Sequence, residues 1–525
     1  MKSPHLLLML LMNTIRSDFM KNIKKKWILI ILSAILIGAV GSIFIYKKYT
    51  RNYTEQSIQK VEKSGERNNN MMSGMMGNEQ NLDLKPSKQS ERQLLIPPVL
   101  ETSSQNEEEI TYDIVAREGE FQIKDGEKTE TLGYNGEFLG PVLRMKKGQK
   151  VTINTTNQLA SRTSFHWHGL KIPSDVDGGP HQTIESGEKK SVTFEVKQEA
   201  STLWFHPHPE GETASQVYKG LAGLMYVEDE NSKSLNLPEN YGIDDIPLIV
   251  QDKSFKADNQ IDYENDYNSD GTQGDTLLTN GTINPYVEVN NRWMRYRIVS
   301  GSNSRTFTFS LDSNEPFYQV ATDGGFLNTP VKLNSLTLSP GERAEILVDT
   351  KKYNNGDTIK LLANDSVALN MRIRGRKTDT TFIPSKKLND INTIDEKSLD
   401  GLNRQIINLK GMSHMVNINN KQFDMNRIDL YKKLNEQEIW EVNNYSSMMG
   451  EMAHPFHIHG VQFQIISRNG KQPRSNENGW KDTVLVNPEE RVELLVRFDH
   501  AGTFMYHCHI LEHEEYGMMG QMEVR

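Results

Sequence analysis

The one cysteine of the chain lies near its C-terminus, and a histidine stands on each side of it. If residues 502–506 run into this segment as a strand, successive side chains point to opposite faces. Cys508 then points to one face, while His507 and His509 point to the other. A thiolate and two imidazoles would face two separate places while a few covalent bonds connect them, as electron transfer between two metal sites requires.

Further candidate metal ligands follow soon after Cys508, namely His513 and Met518. A thiolate, imidazoles and a weak axial thioether form the ligand set of blue-copper electron-transfer sites. A lone cysteine near histidines also fits a catalytic nucleophile or an inert buried thiol. Cys508 by itself therefore leaves three interpretations open.

The histidines in the rest of the chain favour the metal site. The sequence holds 14 histidines, and eight of them form four His-x-His pairs. The pairs are His166/His168, His206/His208, His457/His459 and His507/His509. On a strand each pair presents two imidazoles on one face, and such ligands bind copper more tightly than other divalent first-row metals. One pair is a weak signal, whereas four pairs in one chain predict a copper cluster.

The sequences around these pairs resemble those of the multicopper oxidases. His-Trp-His-Gly, His-Pro-His, His-Pro-Phe-His-Ile-His-Gly and the His-Cys-His segment occur in that family's order, and the resemblance covers roughly residues 110–525. Among its members the chain is most similar to bacterial laccase-type copper oxidases of the copper-tolerance kind. The resemblance implies an all-β fold of three cupredoxin-like Greek-key β-sandwich domains with four copper ions, one of type 1, one of type 2 and two of type 3.

The resemblance also implies a ligand at every copper position. These ligands are His454, Cys508, His513 and axial Met518 for type 1; His166 and His457 for type 2; and, for the two type 3 ions, His168, His206 and His509 together with His208, His459 and His507. Electrons from a donor would pass from type 1 copper through Cys508 and its neighbours to the cluster, where O₂ is reduced to water. Met518 and Met519 point to opposite faces of a strand, so only one can be axial, and the family spacing favours Met518.

Two acidic residues are candidates for delivering the protons that oxygen reduction consumes. Asp177 begins Asp-Gly-Gly-Pro, and Glu514 directly follows a predicted ligand and matches a family carboxylate. Asp177 fits a turn equally well, and Glu514 also fits a solvated loop acid. Asp482, in Trp-Lys-Asp-Thr, is interpreted as structural.

The predicted electron-donor pocket lies beside His454 and His513. Glu451 and Met452 come just before His454, in a stretch rich in methionine. A carboxylate among thioethers could bind Cu(I) as the donor, because soft thioethers select that ion; a flexible hydrophobic loop is the alternative. The family's enteric copper oxidases carry a Met-rich insertion in domain 3, but residues 376–403 contain no methionine. Phenols therefore stay an alternative to Cu(I) as the electron donor.

The elements that must position these residues are strands, and they recur. Similar turns begin at residues 186, 340 and 488, and each precedes a segment that alternates apolar and polar residues. The period of about 150 residues predicts three copies of one β-domain. The predicted domains are 110–232, 233–376 and 404–525, with a linker at 377–403.

Comparison of the copies predicts where metal binds. Domain 1 has other residues at the positions of the three strong type 1 ligands, namely Thr163, Pro207 and Glu212. Domain 2 has no histidine at its corresponding residues 358–362 and would be a spacer. Because only domains 1 and 3 supply pairs, the cluster is predicted at their interface.

The N-terminal part has the composition of a targeting segment and a tether. Residues 27–46 are apolar or small, carry no charge and are long enough to span a membrane; a cleaved secretory signal is the alternative. Residues 47–109 are polar, which predicts a disordered tether, and residues 71–76 read Met-Met-Ser-Gly-Met-Met. We therefore expect an extracytoplasmic protein anchored to the cell membrane by residues 1–46.

Composition limits the partners and leaves other functions open. With a net charge of −9 and no basic domain, the chain is not expected to bind nucleic acid. A single cysteine rules out an internal disulfide, and 525 residues suffice for three packed domains. We expect a monomer that uses O₂ and takes electrons from Cu(I), from phenolic compounds or from both. The alternatives are a non-catalytic copper-sequestering protein and a structural relative that has lost copper.

Overall fold

The computed structural model describes residues 82–377, 386–445 and 452–525, and β-strands dominate these parts of the chain. The first strands are β1 (Arg92–Gln93), β2 (Ser104–Gln105), β3 (Glu109–Phe121), β4 (Thr129–Tyr134), β5 (Val142–Lys146), β6 (Lys150–Asn157), β7 (Lys189–Glu195), β8 (Ser201–Phe205) and β9 (Gly223–Glu228). The middle strands are β10 (Asp245–Lys253), β11 (Thr276–Thr279), β12 (Pro285–Asn291), β13 (Trp293–Ser300), β14 (Phe307–Leu311), β15 (Phe317–Thr322), β16 (Gly325–Leu333), β17 (Ser335–Leu338), β18 (Arg343–Asp349), β19 (Thr358–Ala363) and β20 (Ser366–Lys377).

The last strands and the α-helices are short. The strands are β21 (Asn403–Lys410), β22 (Asn417–Ile418), β23 (Leu430–Lys432), β24 (Gln437–Tyr445), β25 (His454–Ile458), β26 (Gln464–Arg468), β27 (Thr483–Val486), β28 (Arg491–Arg497), β29 (Gly502–Cys508) and β30 (Met519–Val524). The helices in the described residues are α1 (Thr213–Lys219), α2 (Glu230–Ser234), α3 (Tyr263–Asp266) and α4 (Leu511–Glu515).

The strands form three two-sheet sandwiches, called here the first, second and third repeats. The sheets of the first repeat run β2-β3-β6-β7, with β4 on β3, and β5-β9-β8. Those of the second run β1-β12-β20-β19-β14-β17 and β11-β10-β13-β18-β15-β16, and those of the third run β22-β21-β24-β28-β26 and β23-β30-β29-β25-β27. A separate apolar core fills each sandwich, around Ile153, Ile298 and Val442 respectively. The prediction of an all-β fold is confirmed.

One tight turn recurs in all three sandwiches. The turns span residues 185–188, 339–342 and 487–490. In each, the backbone N–H of the last residue donates to the carbonyl oxygen of the first, at 3.0, 3.0 and 3.1 Å. The third turn residue has positive φ, at 81° for Gly187, 85° for Gly341 and 58° for Glu489. The strands that follow, β7, β18 and β28, pair antiparallel with β6, β13 and β24, so the turns are equivalent positions of one repeated unit.

The same strand pairing places the histidine pairs. In the third repeat β25 runs antiparallel to β29, and His457 lies opposite His507. The corresponding bridge in the first repeat joins His166 to His206. In the second repeat β14 and β19 make the equivalent pair, but a serine and a leucine lie opposite each other there. The second repeat thus has the same strand pair as the other two repeats and differs in having no histidine on it.

Part of the predicted disordered tether is folded. Residues 82–109 are ordered: β1 adds in parallel to β12 of the second repeat, and Leu94 is buried in that repeat's core. Arg305 donates through Nη2 to the carbonyl oxygen of Leu82 at 2.6 Å. The prediction is wrong for these residues because a few apolar side chains in a polar stretch suffice to dock it on a sheet edge.

Other predictions on connecting segments have mixed outcomes. Within the predicted linker 377–403, Leu388 and Ile391 are buried. The predicted membrane span 27–46 and the methionine cluster 71–76 lie outside the described residues. No helix in the described parts of the chain is long and apolar enough to cross a membrane.

Candidate metal centres between the first and third repeats

The histidine pairs of the first and third repeats meet in one buried cage. The imidazole of His166 stacks on that of His459 with ring centroids 3.9 Å apart, and His168 stacks on His457 at 3.8 Å. The Nε2 atoms of His208 and His507 are 3.3 Å apart. None of the eight paired histidines is more than 1% exposed. Both repeats therefore contribute imidazoles to the same enclosed space.

The nitrogen atoms of these histidines fall into groups of three. In each group one nitrogen from every ring lies within 4.8 Å of the others. The groups are His168, His206 and His509; His208, His459 and His507; and His166, His168 and His457. Metal–nitrogen bonds are about 2 Å long, so an ion at the centre of such a group can reach all three atoms.

Most of these rings are held through Nδ1, which leaves Nε2 facing the cage. Backbone carbonyl oxygens lie 3.1, 2.9, 2.8 and 3.0 Å from Nδ1 of four histidines, which are His166, His206, His457 and His507. Within the described residues, Nε2 of His166 and of His457 is buried without a hydrogen-bond partner. Buried polar atoms are rarely left unpaired. These lone pairs fit the ligand positions of a metal ion.

Burial also sets the protonation state of the cage. It lowers the pKa of the histidines well below the ordinary value, with the neighbouring imidazoles adding to the effect, at His168, His206, His208, His457, His507 and His509. Burial likewise lowers the pKa of His459 to about 4. Metal binding requires neutral imidazole. At neutral pH these seven histidines therefore offer uncharged nitrogen ligands.

A second centre surrounds Cys508 in the third repeat. Its Sγ lies 3.6 Å from Nδ1 of His454 and 3.7 Å from Nδ1 of His513, and all three residues are buried. Burial raises the pKa of the thiol and lowers that of His454 to about 3. A fully buried, protonated thiol is a poor nucleophile, whereas a thiol beside two imidazoles fits a soft metal.

Strand register distinguishes the two consecutive methionines. Met519 lies opposite His507 in the β29–β30 pair, and the backbone N–H of Cys508 donates to the carbonyl oxygen of Met518 at 3.0 Å. Opposed residues of an antiparallel pair share a face, and neighbours alternate. Met518 therefore lies on the face of Cys508, in the same buried cluster, while Met519 lies on the face of the cage.

Asp177 and Glu514 each contact two imidazoles of the cage. Asp177 Oδ2 lies 2.7 Å from Nδ1 of His459 and 3.4 Å from Nδ1 of His166. Glu514 Oε1 lies 3.2 Å from Nδ1 of His208, and its Oε2 lies 3.2 Å from Nδ1 of His507. Both carboxyl groups are almost completely buried. Each carboxyl group therefore contacts one imidazole of the first repeat and one of the third.

These two carboxyl groups differ in their proton affinity. Burial raises the pKa of Glu514 well above its ordinary value, and the neighbouring acid Glu515 adds to this. Burial also acts to raise the pKa of Asp177, but His166 and His459 outweigh it and hold the pKa below the ordinary value. Two acids whose environments separate their pKa values suit different roles in proton chemistry.

A third acid of the cage and a part of the second repeat contact the imidazoles in ways that were not predicted from the sequence. Asp482, interpreted as structural, places Oδ1 3.0 Å from Nε2 of His168. Arg343 of the second repeat donates to both oxygens of that carboxylate, at 2.6 and 2.5 Å. Gly341 packs so closely on His509 that a Cβ atom would lie 2.9 Å from the ring. The second repeat is thus more than the predicted spacer.

A signal for Asp482 does exist in the strand register. Thr483 lies opposite His457 in the β25–β27 pair. The hydroxyl of Thr483 lies 3.3 Å from Nε2 of His168 and donates to Oδ1 of Asp482 at 2.9 Å, so this end of β27 lies beside the cage. The part of Arg343 left no such signal, because it depends on how the second repeat packs against the other two.

The predicted electron-donor pocket is only partly visible. Met452 is half-buried and packs against the core of the third repeat, and its carbonyl oxygen accepts a hydrogen bond of 2.8 Å from Nδ2 of Asn444. Glu451 lies outside the described residues. The position of Met452 just before β25 keeps it close to His454.

A buried thiol–imidazole centre joined through one strand to a cage of paired imidazoles, all on stacked β-sandwiches, defines a copper oxidase. Family models described as multicopper oxidase match residues 115–232, 247–359 and 395–525. The chain belongs to the multicopper oxidase family, and the resemblance noted in the sequence is confirmed. Members of this family bind four copper ions, one of type 1, one of type 2 and two of type 3, which fits the groups described above.

The chain is similar to proteins of known name over most of its length. The multicopper oxidase mco of Staphylococcus epidermidis is 42% identical over 442 residues, which are 83% of this chain and 94% of that protein. The crystal structure of a laccase from Pediococcus acidilactici is 41% identical with a TM-score of 0.81, covering 84% of this chain and 95% of that one. The cell division protein FtsP of Photorhabdus laumondii is 35% identical over 458 residues, 84% of this chain and 93% of that protein.

Proposed function

We propose that the protein takes single electrons from Cu(I) or from phenolic compounds at a type 1 copper site and delivers them to O₂ at a trinuclear copper cluster. The position of Cys508 supports this most directly. Its thiol faces His454 and His513, while its neighbours His507 and His509 belong to two different groups of the cage. One strand therefore joins the two centres through a few covalent bonds.

The proposed ligands follow the groups in the structure. They are His454, Cys508, His513 and Met518 at the type 1 site; His166 and His457 at the type 2 site; and His168, His206 and His509 with His208, His459 and His507 at the two type 3 sites. When bound, these ions supply one-electron oxidation at the first site and reduction of O₂ to water at the cluster. Asp177 and Glu514 hold the rings and lie where protons are needed.

The structure around the type 1 site bears on the electron donor. His454 and His513 are buried, with Met452 half-buried just before β25. The thioether of Met452 and the carboxylate of Glu451 would together suit Cu(I), and an open mouth there would also admit a phenol. We propose that oxidation of Cu(I) serves copper tolerance.

We further propose that the enzyme acts outside the cytoplasm and is held at the membrane by residues 27–46. The length and composition of that segment support an anchor. Deleting it should release an active enzyme into the soluble fraction. Recovery of the intact protein only in the cytoplasm would contradict this placement.

Oxygen consumption tests the proposed reaction. The copper-loaded protein should consume one O₂ for every four molecules of Cu(I) or phenol that it oxidises. Comparing the rates for Cu(I), Fe(II) and a phenol on one preparation would rank the donors. A copper-sequestering protein would bind Cu(I) without consuming O₂ above the protein-free blank, and that result would overturn the proposal.

A further inference from the structure

One histidine of the cage is turned the other way from its neighbours. His166, His206, His457, His459 and His507 contact oxygen atoms through Nδ1, which leaves Nε2 toward the cage. His168 instead contacts Asp482 through Nε2 at 3.0 Å, and its Nδ1 lies 3.3 Å from Nε2 of His206. A neutral imidazole has one N–H donor and one lone pair. If Nε2–H donates to Asp482, the lone pair of Nδ1 faces the cage.

Asp482 is itself fixed by a residue from the second repeat. Arg343 makes two parallel hydrogen bonds to its carboxylate, at 2.6 and 2.5 Å, and both residues are almost completely buried. Such paired Arg–carboxylate contacts are the strong, geometrically specific kind. The carboxylate can therefore not rotate away from His168.

Arg343 is in turn held by all three repeats. Nε donates to the carbonyl oxygen of Thr202 in the first repeat at 3.3 Å. Nη1 donates to Gly341 O and Nη2 to Asp323 O in the second repeat, both at 3.0 Å. With Asp482 in the third repeat, every N–H of the guanidinium has a partner. No other side chain could replace this set, because only Arg offers five donors in one plane.

The residue after His168 shows how tightly this contact is packed. Gly169 has φ of 92°, and a Cβ atom there would lie 2.5 Å from Nη2 of Arg343 and 2.7 Å from Oδ2 of Asp482. Real Cβ atoms do not approach other atoms so closely. The glycine of His-Trp-His-Gly is thus required by the Arg343–Asp482 pair.

We propose that Arg343 is a positioning residue for the cluster: by fixing Asp482, it makes His168 present Nδ1, rather than Nε2, to the group that contains His206 and His509. The inference rests on the copper-ligand set proposed above. It gives the metal-free second repeat a part in building the cluster between the other two.

The copper-free wild-type protein provides the first test. Long-range ¹H–¹⁵N spectra of ¹⁵N-histidine-labelled protein distinguish the two neutral tautomers, and His168→Gln assigns the signal. His168 should carry its proton on Nε2. A proton on Nδ1 would overturn the proposal without any need for a variant at Arg343.

Two variants provide the second test. Arg343→Lys keeps the charge but loses the paired contact. In Asp482→Asn, Arg343 binds the amide oxygen and turns the NH₂ group toward His168, which must then accept through Nε2. Both should lower copper affinity at the cluster by about 10- to 100-fold. Absorption of the Cys508 site should stay unchanged.

Arg297→Lys is the matched control. Arg297 is buried and makes two contacts of 2.7 and 2.8 Å to Asp245, but it touches no histidine in the described residues. It should lower the melting temperature of the copper-free protein about as much as Arg343→Lys while keeping all cluster copper. Cluster copper in Arg343→Lys and Asp482→Asn equal to wild type would overturn the proposal. So would loss of cluster copper and of Cys508 absorption together. A wild-type protein that binds no copper would instead refute the proposed function.

Discussion

The first and third repeats have the same strand arrangement but carry different side chains where the third repeat has the centre around Cys508. In the third repeat the space beside Cys508 is lined by two imidazoles and suits a metal ion. In the first repeat the hydroxyl of Thr163 donates to Oε1 of Gln216 at 2.7 Å, and Nε2 of Gln216 donates to Oε2 of Glu212 at 3.1 Å. The residues of the first repeat that stand at the positions of two metal ligands are thus hydrogen-bonded to one amide of α1.

The comparison teaches that the sandwich does not determine the metal site. Both repeats keep the antiparallel pair that opposes two histidines, at His166 and His206 and at His457 and His507. The centre around Cys508 depends instead on a few side chains carried by that scaffold. Function in shared folds commonly depends on such local differences. The differences between the repeats can therefore be tested one residue at a time.

Cys508→Ser should have the largest effect. A serine hydroxyl is a hard ligand that binds copper poorly in place of a thiolate, and it interrupts the link between the two centres. Blue absorption should disappear, and turnover should fall to the level of the copper-free protein. Copper content should fall by only about one ion per chain, because the cage supplies separate ligands. Retained turnover would refute the electron path.

Asp177→Asn and Glu514→Gln should separate metal binding from proton delivery. Asp177 is held ionised beside His166 and His459, so loss of its charge should weaken copper binding by about 10- to 100-fold. Burial raises the pKa of Glu514 and so favours its neutral form, which Gln imitates although it cannot pass a proton. Its copper content should stay normal while turnover falls about 100-fold. Copper analysis and oxygen uptake on both variants check this, and the reverse pattern would contradict it.

Gly341→Ala and Gly187→Ala compare one turn in two repeats. Both glycines have positive φ, where an alanine costs about 1 kcal/mol. Nothing lies within 4 Å of a Cβ atom at Gly187, whereas a Cβ atom at Gly341 would be 2.9 Å from the ring of His509. Gly341→Ala should thus lose roughly 1–3 kcal/mol more in free energy of unfolding. Denaturant titration of the copper-free proteins measures this difference in free energy of unfolding. Equal losses would show that the ring of His509 can move away from an added methyl group at no cost.

Gln216→Ala should have the smallest effect. It removes the 2.7 Å acceptor of the buried Thr163 hydroxyl and leaves only the carbonyl oxygen of Ser164 at 3.4 Å, which costs about 1–3 kcal/mol in free energy of unfolding. Copper content and blue absorption should not change, because the first repeat holds no mononuclear site. Melting curves and copper analysis together check this. A loss of blue absorption would mean that the two repeats are coupled at this position.

The repeated domains and the faces of the strands were predictable from the periodicity and spacing of the residues. The turns that contain Gly187 and Gly341 revealed the repeat, and the alternation along a strand put Met518 and Met519 on opposite faces. These are local rules of the backbone. They apply before any tertiary contact is known.

The rest depends on contacts between distant segments. Asp482 and Arg343 meet 139 positions apart, and nothing in the period of the chain links them. The docking of residues 82–109 likewise depends on the edge of β12, a strand that lies much later in the sequence. Such contacts follow from packing between repeats, so one sequence by itself did not predict them.

The strand β1, the first in the described residues, has a practical consequence. Because β1 covers β12, a protein expressed from residue 110, the predicted start of the first domain, would lack that cover. The sheet of the second repeat that contains β12 would then end in an unprotected row of N–H and C=O groups. Strands of other molecules can pair with such an edge. Expression that begins before residue 82 avoids this route to self-association and precipitation.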